Sequence, residues 1–473
     1  MASRPTDVGT VGPELPSRMC EPEFERMPYG QLLEYQFARF QAEFSRAFEH
    51  NAFYRARYRA AGVEPDQLRT RDDIRRVPTV RKADVLADAA ASPPFGSRLG
   101  VPPDRIAQIV ESSGTSGKGK EVQALTATEL DQVTRAKIYQ FVWPGCGPGT
   151  VVALHSPVSM SSGPLWNLAA LARIEASPLR VGMLDTSARL EVMRSYRAEF
   201  VQASPAYLMR MEYAAEAMGW TLTEQLSSVR AICVSGGGWT VDWALERQRR
   251  WGARLYEVYA SSQRAFTYTC ELGMVHDRRP GLLHSLPHLH LIEVIDPHTG
   301  RHAEAGEEGE IVVTAFGATA SPVVRYATGD RAVFRPAATC GCNRPFDGIE
   351  AGSVARYDDM LRIKEVNLWP LTIDEIAFSH AWLAEYRGEV DLDERGREVA
   401  RIFVEFRSGA DPASKADCLQ DLGVDLRDRA KISFEIAEWT GESLTDSAAG
   451  GYDPISMKIR RWSDLRKEAM SRG

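Results

Sequence analysis

Apolar positions between Gln31 and Ala61 recur at helical spacing: Leu32, Leu33, Phe37, Phe40, Phe44, Phe48 and Tyr54 fall on one face. This predicts an amphipathic helix whose aromatic stripe packs into a core. From about residue 100 the period changes. Short apolar runs at Arg105–Val110, Thr150–His155, Phe200–Ala203, Ala231–Val234 and Leu255–Val258 read as strands. Helical stretches near Leu165–Arg173, Tyr207–Met218 and Asp242–Trp251 alternate with them. Such alternation predicts an α/β layer structure around a largely parallel sheet. Leu289–Ile295 and Glu310–Phe316 then follow in succession, with the polar segment Pro297–Gly309 between them as a hairpin loop. They predict a smaller, antiparallel sheet.

Beyond about Arg356 a separate small α+β unit is expected. Ala400, Ile402, Val404 and Phe406 alternate strictly, Ile432, Phe434 and Ile436 repeat the pattern, and Lys415–Arg429 between them reads as a helix. The chain of 473 residues exceeds what one core holds. The expected organisation is a flexible arm over residues 1–25, a large domain over 26–357 and a small domain over 358–473.

Composition narrows the classes. Hydrophobic residues make up 44% and charged residues 26%, as in soluble globular proteins. The formal balance is 57 − 64 = −7, which disfavours a general nucleic-acid binder, since phosphate neutralisation needs a basic surface. No apolar run approaches the ~18–20 residues that cross a bilayer, and the first 25 residues lack a signal-peptide core. No nucleic-acid or membrane partner is expected, and a cytoplasmic location is. The seven cysteines, an odd and sparse set, argue for reduced thiols; Cys340-Gly341-Cys342 is the close pair.

Three segments carry chemistry. Ser112-Ser113-Gly114-Thr115-Ser116-Gly117-Lys118 follows a predicted strand. Small hydroxyl residues and glycines let backbone amides approach a polyphosphate, and Lys118 adds a point charge. It is not a Walker A loop, because the Gly-x4-Gly-Lys spacing is absent; a plain surface loop is the alternative. Thr328-Gly329-Asp330 offers an aspartate, in a tight turn after a strand, to a ribose diol; an Asx-capped turn is the alternative. Val354 to Lys364 lies at the proposed domain boundary, as a hinge or a solvated linker.

In this order the three segments resemble the adenylate-forming superfamily, and within it the phenylacetate–CoA ligase-like branch. Tyr259-Ala260-Ser261-Ser262-Gln263 stands where the family has Tyr-Gly-x-Thr-Glu. Asn51-Ala52-Phe53-Tyr54, Ala203-Ser204-Pro205-Ala206-Tyr207-Leu208 and Ser456-Met457-Lys458-Ile459-Arg460-Arg461 are also similar to the branch. The resemblance implies a large adenylate-forming domain, layered α/β plus a small β subdomain, and a small mobile α+β domain. It implies ATP and Mg2+ as cofactors and a small-molecule acid activated as its adenylate. Lys458 is implied as the mobile catalytic lysine, with Lys118 and Gln263 beside it. Ser112 to Lys118, Gly236, Gly237, Tyr259, Ser261, Ser262, Asp330 and Arg356 would bind the nucleotide, and Asp358 would serve as hinge. His155, Gly163, Trp166, Trp239 and Ala260 would line the acid pocket, its two tryptophans suiting an aromatic acid.

Two departures bear on chemistry. Gln263 replaces a glutamate that helps hold Mg2+, and a neutral amide binds a hard cation less strongly. Glu365 replaces a glycine beside the expected pantetheine channel, which keeps the acceptor open between coenzyme A and an amine. An amide ligase and the adenylation of nitrite for diazotisation are the alternatives, as is a non-catalytic nucleotide-binding homologue. The branch also carries a structural zinc site. Here it would be Cys270, Cys340, Cys342 and a histidine: His284 by its distance to the following strand, or His276, nearer Cys270. A monomer and a homodimer are both compatible with the sequence.

Overall fold

The computed structural model describes residues 19–112, 119–236, 238–357, 361–363, 366–380, 382–393, 396–407, 414–441, 443–444, 452–453, 458–459 and 461–466. These residues divide into two compact units. One is drawn from Met1–Ala203, Ala214–Gly236 and Val241–Ala355, the other from Ser204–Tyr213, Gly237–Thr240 and Arg356–Gly473.

The arm expected through Glu25 is already folded from Met19, and Pro22–Glu25 forms a helical turn. Its carboxylates are buried because distant partners meet them. Glu25 Oε2 accepts from Trp143 Nε1 at 3.0 Å and from Arg344 Nε at 2.7 Å. Glu21 accepts from Tyr139 Oη at 2.9 Å. A charge-rich segment reads as solvated in sequence; here the counter-charges lie more than a hundred residues away.

The single helix expected over Gln31–Ala61 is two: α1 (Tyr29–His50) and α2 (Ala52–Ala60). Asn51 breaks it with an extended backbone and caps α2 by accepting from Tyr54 N at 3.3 Å. Phe40, Phe44, Phe53, Tyr54 and Tyr58 then enter one core cluster with Val77, Val313 and Tyr326.

The strands β1 (Gln108–Glu111) and β2 (Val122–Leu125) form an antiparallel hairpin, with Glu111 opposite Val122. Next comes α3 (Ala127–Val142), which the sequence reading left out. A reciprocal Thr126–Glu129 capping box starts it: Glu129 N donates to Thr126 Oγ1 at 3.3 Å and Thr126 N to Glu129 Oε2 at 2.6 Å. There follow β3 (Val151–Leu154), α4 (Ser162–Arg173), β4 (Ser177–Arg180), β5 (Phe200–Ala203), β6 (Ala231–Ser235) and β7 (Arg254–Ala260). All pairings among β3 to β7 are parallel, as expected for an α/β layer.

After β7 the sheet turns antiparallel through β8 (Phe266–Thr269) and β9 (Leu282–His284). Further along the main path of the sheet come β10 (His290–Ile295), β11 (Glu308–Ala315), β12 (Tyr326–Arg335) and β13 (Gly348–Glu350). Their order is β10-β11-β12-β13-β9-β8-β7-β6-β5-β3-β4. The antiparallel sheet expected around Leu289–Phe316 is therefore not separate; β13 joins it to the parallel strands. Among the described residues, no helix is long and apolar enough to cross a membrane.

In the smaller unit, β14 (Leu383–Leu392) and β15 (Glu398–Phe406) pair antiparallel. The strand β16 (Glu435–Glu438) lies parallel to β15, and β17 (Trp462–Asp464) parallel to β14. The helix α5 (Lys415–Ala430) packs Leu422 and Leu426 against Ile402, Val404 and Trp462. The alternation from Ile432 covers less strand than expected: Ile432 is buried, but pairing begins only at Glu435. Gly388 is needed where Trp462 crosses β14, since a Cβ there would lie 2.5 Å from the indole.

The Glu25–Arg344 pair yields a stability prediction. Glu25→Ala leaves a guanidinium that is 2% exposed without one of its carboxylates, and Glu271 Oε2, at 2.5 Å, is its remaining anion. Loss of one partner of a buried pair costs about 3–5 kcal/mol. Urea denaturation of the variant should register a loss of that size; a change under about 1 kcal/mol would contradict the assignment.

Candidate functional site

The Ser/Thr/Gly loop grows out of the β1–β2 hairpin. Residues 113–118, hence Ser113, Gly114, Thr115, Ser116, Gly117 and Lys118, lie outside the described residues. Their neck is defined by a reciprocal pair. Ser112 N donates to the Glu121 carbonyl at 2.9 Å, and Glu121 N donates to Ser112 Oγ at 2.9 Å. Glu111 N also bonds the Met160 carbonyl at 3.0 Å, so the neck adjoins the approach to α4.

The Tyr259–Gln263 segment leaves β7 into a tight turn. Ser261 N bonds the Ala265 carbonyl at 3.0 Å, Arg264 N returns to the Ser261 carbonyl at 3.1 Å, and Arg264 has φ +64°. The turn sends Tyr259 and Gln263 to different partners. Tyr259 Oη donates to Asp330 Oδ2 at 2.7 Å. Gln263 Nε2 donates to Glu121 Oε2, and Tyr326 Oη donates to Glu121 Oε1. Glu121 is 1% exposed. Burial raises its carboxyl above the ordinary range, while the Tyr326 hydroxyl, Lys82, Arg98 and Gln263 oppose that rise.

Asp330 is not in a turn after a strand, as the sequence suggested, but inside β12. The register of β11 against β12 slips between Glu310 and Val312, and Gly329 adopts φ +75° there. Asp330 N bonds Thr328 Oγ1 at 3.0 Å, which fixes the aspartate backbone at that bulge.

The acid-pocket candidates separate by burial. His155, at the end of β3, is fully buried. Burial, helped by Arg189, lowers its pKa to about 3. Trp166 is a core residue: its indole donates to Gln108 Oε1 at 3.0 Å and meets Phe266 edge-on at 6.0 Å. Gly163 is half-buried and Ala260 exposed. Gly236 takes φ +80° after β6, and Gly237 lies outside the described residues. Ser261 and Ser262 are half-buried. In the smaller unit Trp239 is buried and Arg356 half-buried. Lys458 pairs backbone-to-backbone with Asp453; its side chain, and all of Asp358, lie outside the described residues.

A second cluster lies behind β8 and β9. Donor atoms of Cys270, His284, Cys340 and Cys342 all fall within 4.8 Å of one another. Cys270 Sγ is 3.7 Å from Cys340 Sγ, and Cys342 Sγ is 3.4 Å from His284 Nε2. The His284 Nδ1 atom faces the Phe346 carbonyl at 2.8 Å, which turns Nε2 toward the sulfurs. His276 is excluded from this cluster; it sits exposed in a separate hairpin beside Asp277. Of the two histidines considered, His284 joins the sulfurs, while His276, nearer Cys270 in sequence, is itself part of an exposed hairpin.

Sequence reasoning missed Glu121 and Tyr326. A glutamate between a glycine-rich loop and a strand reads as solvated. Its one legible signal was position, three residues past Lys118 and directly before a short strand.

A family model described as "AMP-binding enzyme" matches residues 56–319. Phenylacetate-coenzyme A ligase of Thermus thermophilus is 27% identical over 467 residues, 95% of this chain and 100% of the relative. The enzyme of that name from Aromatoleum evansii is 25% identical over 419 residues, 87% and 91% of the two chains. A crystal structure of 2-hydroxyisobutyryl-CoA ligase in the postadenylation state superposes with TM-score 0.83 at 21% identity, covering 95% and 94%; that likeness speaks to the fold.

His155 gives a pH prediction. The unfolded imidazole takes a proton near pH 6.5 and the folded one only near 3. Between those values the unfolded chain binds more protons, so stability is lost as pH falls from 6.5 toward 3. His155→Gln should shallow that acid limb in urea midpoints measured across the window. His290, likewise lowered to about 3, would keep the limb from vanishing. An unchanged or steeper limb would contradict a neutral buried His155.

Proposed function

This chain belongs to the AMP-binding enzyme family, and from that premise we propose that it is an ATP-dependent, AMP-forming ligase for a small carboxylic acid, with coenzyme A as acceptor. The observation that carries the reading is the near-full-length correspondence with phenylacetate-coenzyme A ligases, joined to the Tyr259–Asp330 hydrogen bond at the expected nucleotide motifs.

In the first half-reaction a carboxylate oxygen attacks the α-phosphorus of ATP and pyrophosphate leaves. Charge grows on the phosphoryl oxygens, so fixed amides and cations near them lower the barrier. The Ser112–Lys118 loop is assigned to the polyphosphate. Asp330, oriented by Tyr259, is assigned to the ribose hydroxyls together with Arg356, and Lys458 to the developing charge. In the second, the thiol of coenzyme A gives its proton to solvent, its sulfur attacks the acyl carbonyl, and the bond from the acyl carbon to the phosphate oxygen breaks so that AMP departs. Rotation of the smaller domain at Asp358 would let one site serve both steps. Bound Mg2+ would offset the charge of the departing pyrophosphate, and Gln263 is the residue nearest the family's glutamate position to help hold it.

The acid pocket is assigned to His155, Gly163 and Ala260 of the larger unit. With His155 neutral, the pocket offers no fixed cation from that residue, which favours an apolar or aromatic acid body. Trp166, tied into the core, contributes a wall at most indirectly.

Cys270, His284, Cys340 and Cys342 are assigned to a structural zinc ion. Three sulfurs and one imidazole nitrogen match a closed tetrahedral set, which leaves no open position for catalysis. Cys340→Ser and His284→Ala should each lose bound zinc, measured by elemental analysis, and melt at lower temperature, while His276→Ala should do neither. Zinc retained in His284→Ala at one ion per chain would overturn the ligand set.

The adenylation reading is tested by ATP–pyrophosphate exchange against a panel of carboxylic acids and nitrite, then by adding coenzyme A or amines. Carboxylic-acid-dependent exchange and an acyl-CoA product by mass spectrometry are expected. Lys458→Ala should lower exchange by about 100-fold or more with ATP binding retained. Exchange with nitrite alone, or an amide as the only product, would replace the substrate or the acceptor. Near-normal exchange in Lys458→Ala would remove that residue's role.

A further inference from the structure

The Gln263 side chain is not a lone neutral substitute at a cation site. Its amide nitrogen donates to Glu121 Oε2, and Glu121 is buried at the neck of the phosphate loop through its two hydrogen bonds with Ser112. A carboxylate accepts hydrogen bonds and cannot donate them. The second carboxylate oxygen is held by the Tyr326 hydroxyl, whose proton is retained because burial and Glu121 push its pKa far up. Glu121 therefore settles which way the Gln263 amide points: NH2 toward Glu121, Oε1 away from it. Donation to an anion also enriches the amide oxygen in negative charge, since linked hydrogen bonds polarise one another. Lys82 and Arg98 are the cations that act on Glu121 through space.

We propose that Glu121 and Gln263 form a split ligand for the divalent cation of bound ATP. Gln263 presents its amide oxygen to the cation, and Glu121 acts as a positioning residue that fixes that oxygen and supplies the negative charge one hydrogen bond behind it. The inference rests on the adenylation reading for the presence of a nucleotide-bound cation. It accounts for two otherwise unrelated features: a neutral residue at 263 and a buried carboxylate at 121. A hard cation favours anionic oxygen, and the pair restores the anion without placing it in direct contact.

The test is cation affinity in the full-length protein, read by Mn2+ electron paramagnetic resonance and by calorimetric Mg2+ titration, each with α,β-methylene-ATP bound. Glu121→Gln removes the charge and frees the amide to flip; affinity should fall about tenfold, the scale of one charge-assisted hydrogen bond. The transposed variant Glu121→Gln/Gln263→Glu returns one carboxylate and one amide to the same place and should recover affinity to at least the wild-type level. Gln263→Met keeps the side-chain volume but removes the oxygen, and should lose affinity by a similar factor.

Wild-type affinity in Glu121→Gln or in Gln263→Met would overturn the proposal. So would a transposed variant no better than Glu121→Gln. If Glu121→Gln does not fold, judged by circular dichroism, the other two variants decide by the same criteria. The measurement needs no acid. A wild-type protein that binds cation and nucleotide but supports no exchange with any acid would sink the adenylation reading alone. Variants of unchanged affinity beside active wild-type exchange would sink the split ligand alone.

Discussion

A buried carboxylate has to be surrounded by donors, and at Glu121 that requirement ties three distant stretches of chain together. Its backbone closes the loop neck with Ser112, and its side chain receives Gln263 from the turn after β7 and Tyr326 from the start of β12. Removing any donor would leave a desolvated charge short of partners, which is costly in a low-dielectric interior. The Ser112 neck, the turn carrying Gln263 and the start of β12 are thus tied together by one residue.

The sheet supplies the frame for that junction. Parallel strands β3, β6 and β7 end at segments proposed above to bind the acid and the nucleotide, the usual place for ligands in open α/β sheets. The turn to antiparallel pairing after β7 then brings β12, with Tyr326 and Asp330, into the same sheet. The Cys270–His284–Cys340–Cys342 cluster brings together the residue after β8, the end of β9 and the segment before β13.

Much of the frame was legible in sequence because it is local. Phe200–Ala203 and the helices ending at Arg173 and Trp251 follow from hydrophobic period alone. The order of the motifs carried the family. What escaped was non-local. Gln263 and Tyr326 lie 142 and 205 residues from Glu121, so nothing nearby marks that glutamate as buried. Glu25 escaped for the same reason, its partners being Trp143 and Arg344. Asn51 could have been read as a cap, but the aromatic stripe runs on across it and hides the break. The antiparallel strands were visible, whereas their junction through β13 depends on three residues, Gly348–Glu350, too few to show a period.

The central claim is that a carboxylate oxygen of the substrate acid becomes bonded to the α-phosphorus of ATP. Turnover of an acid labelled with oxygen-18 in its carboxylate, in the presence of ATP and coenzyme A, tests this atom by atom. The account predicts AMP carrying one labelled oxygen and unlabelled pyrophosphate. Label in inorganic phosphate with release of ADP, or AMP free of label, would contradict it.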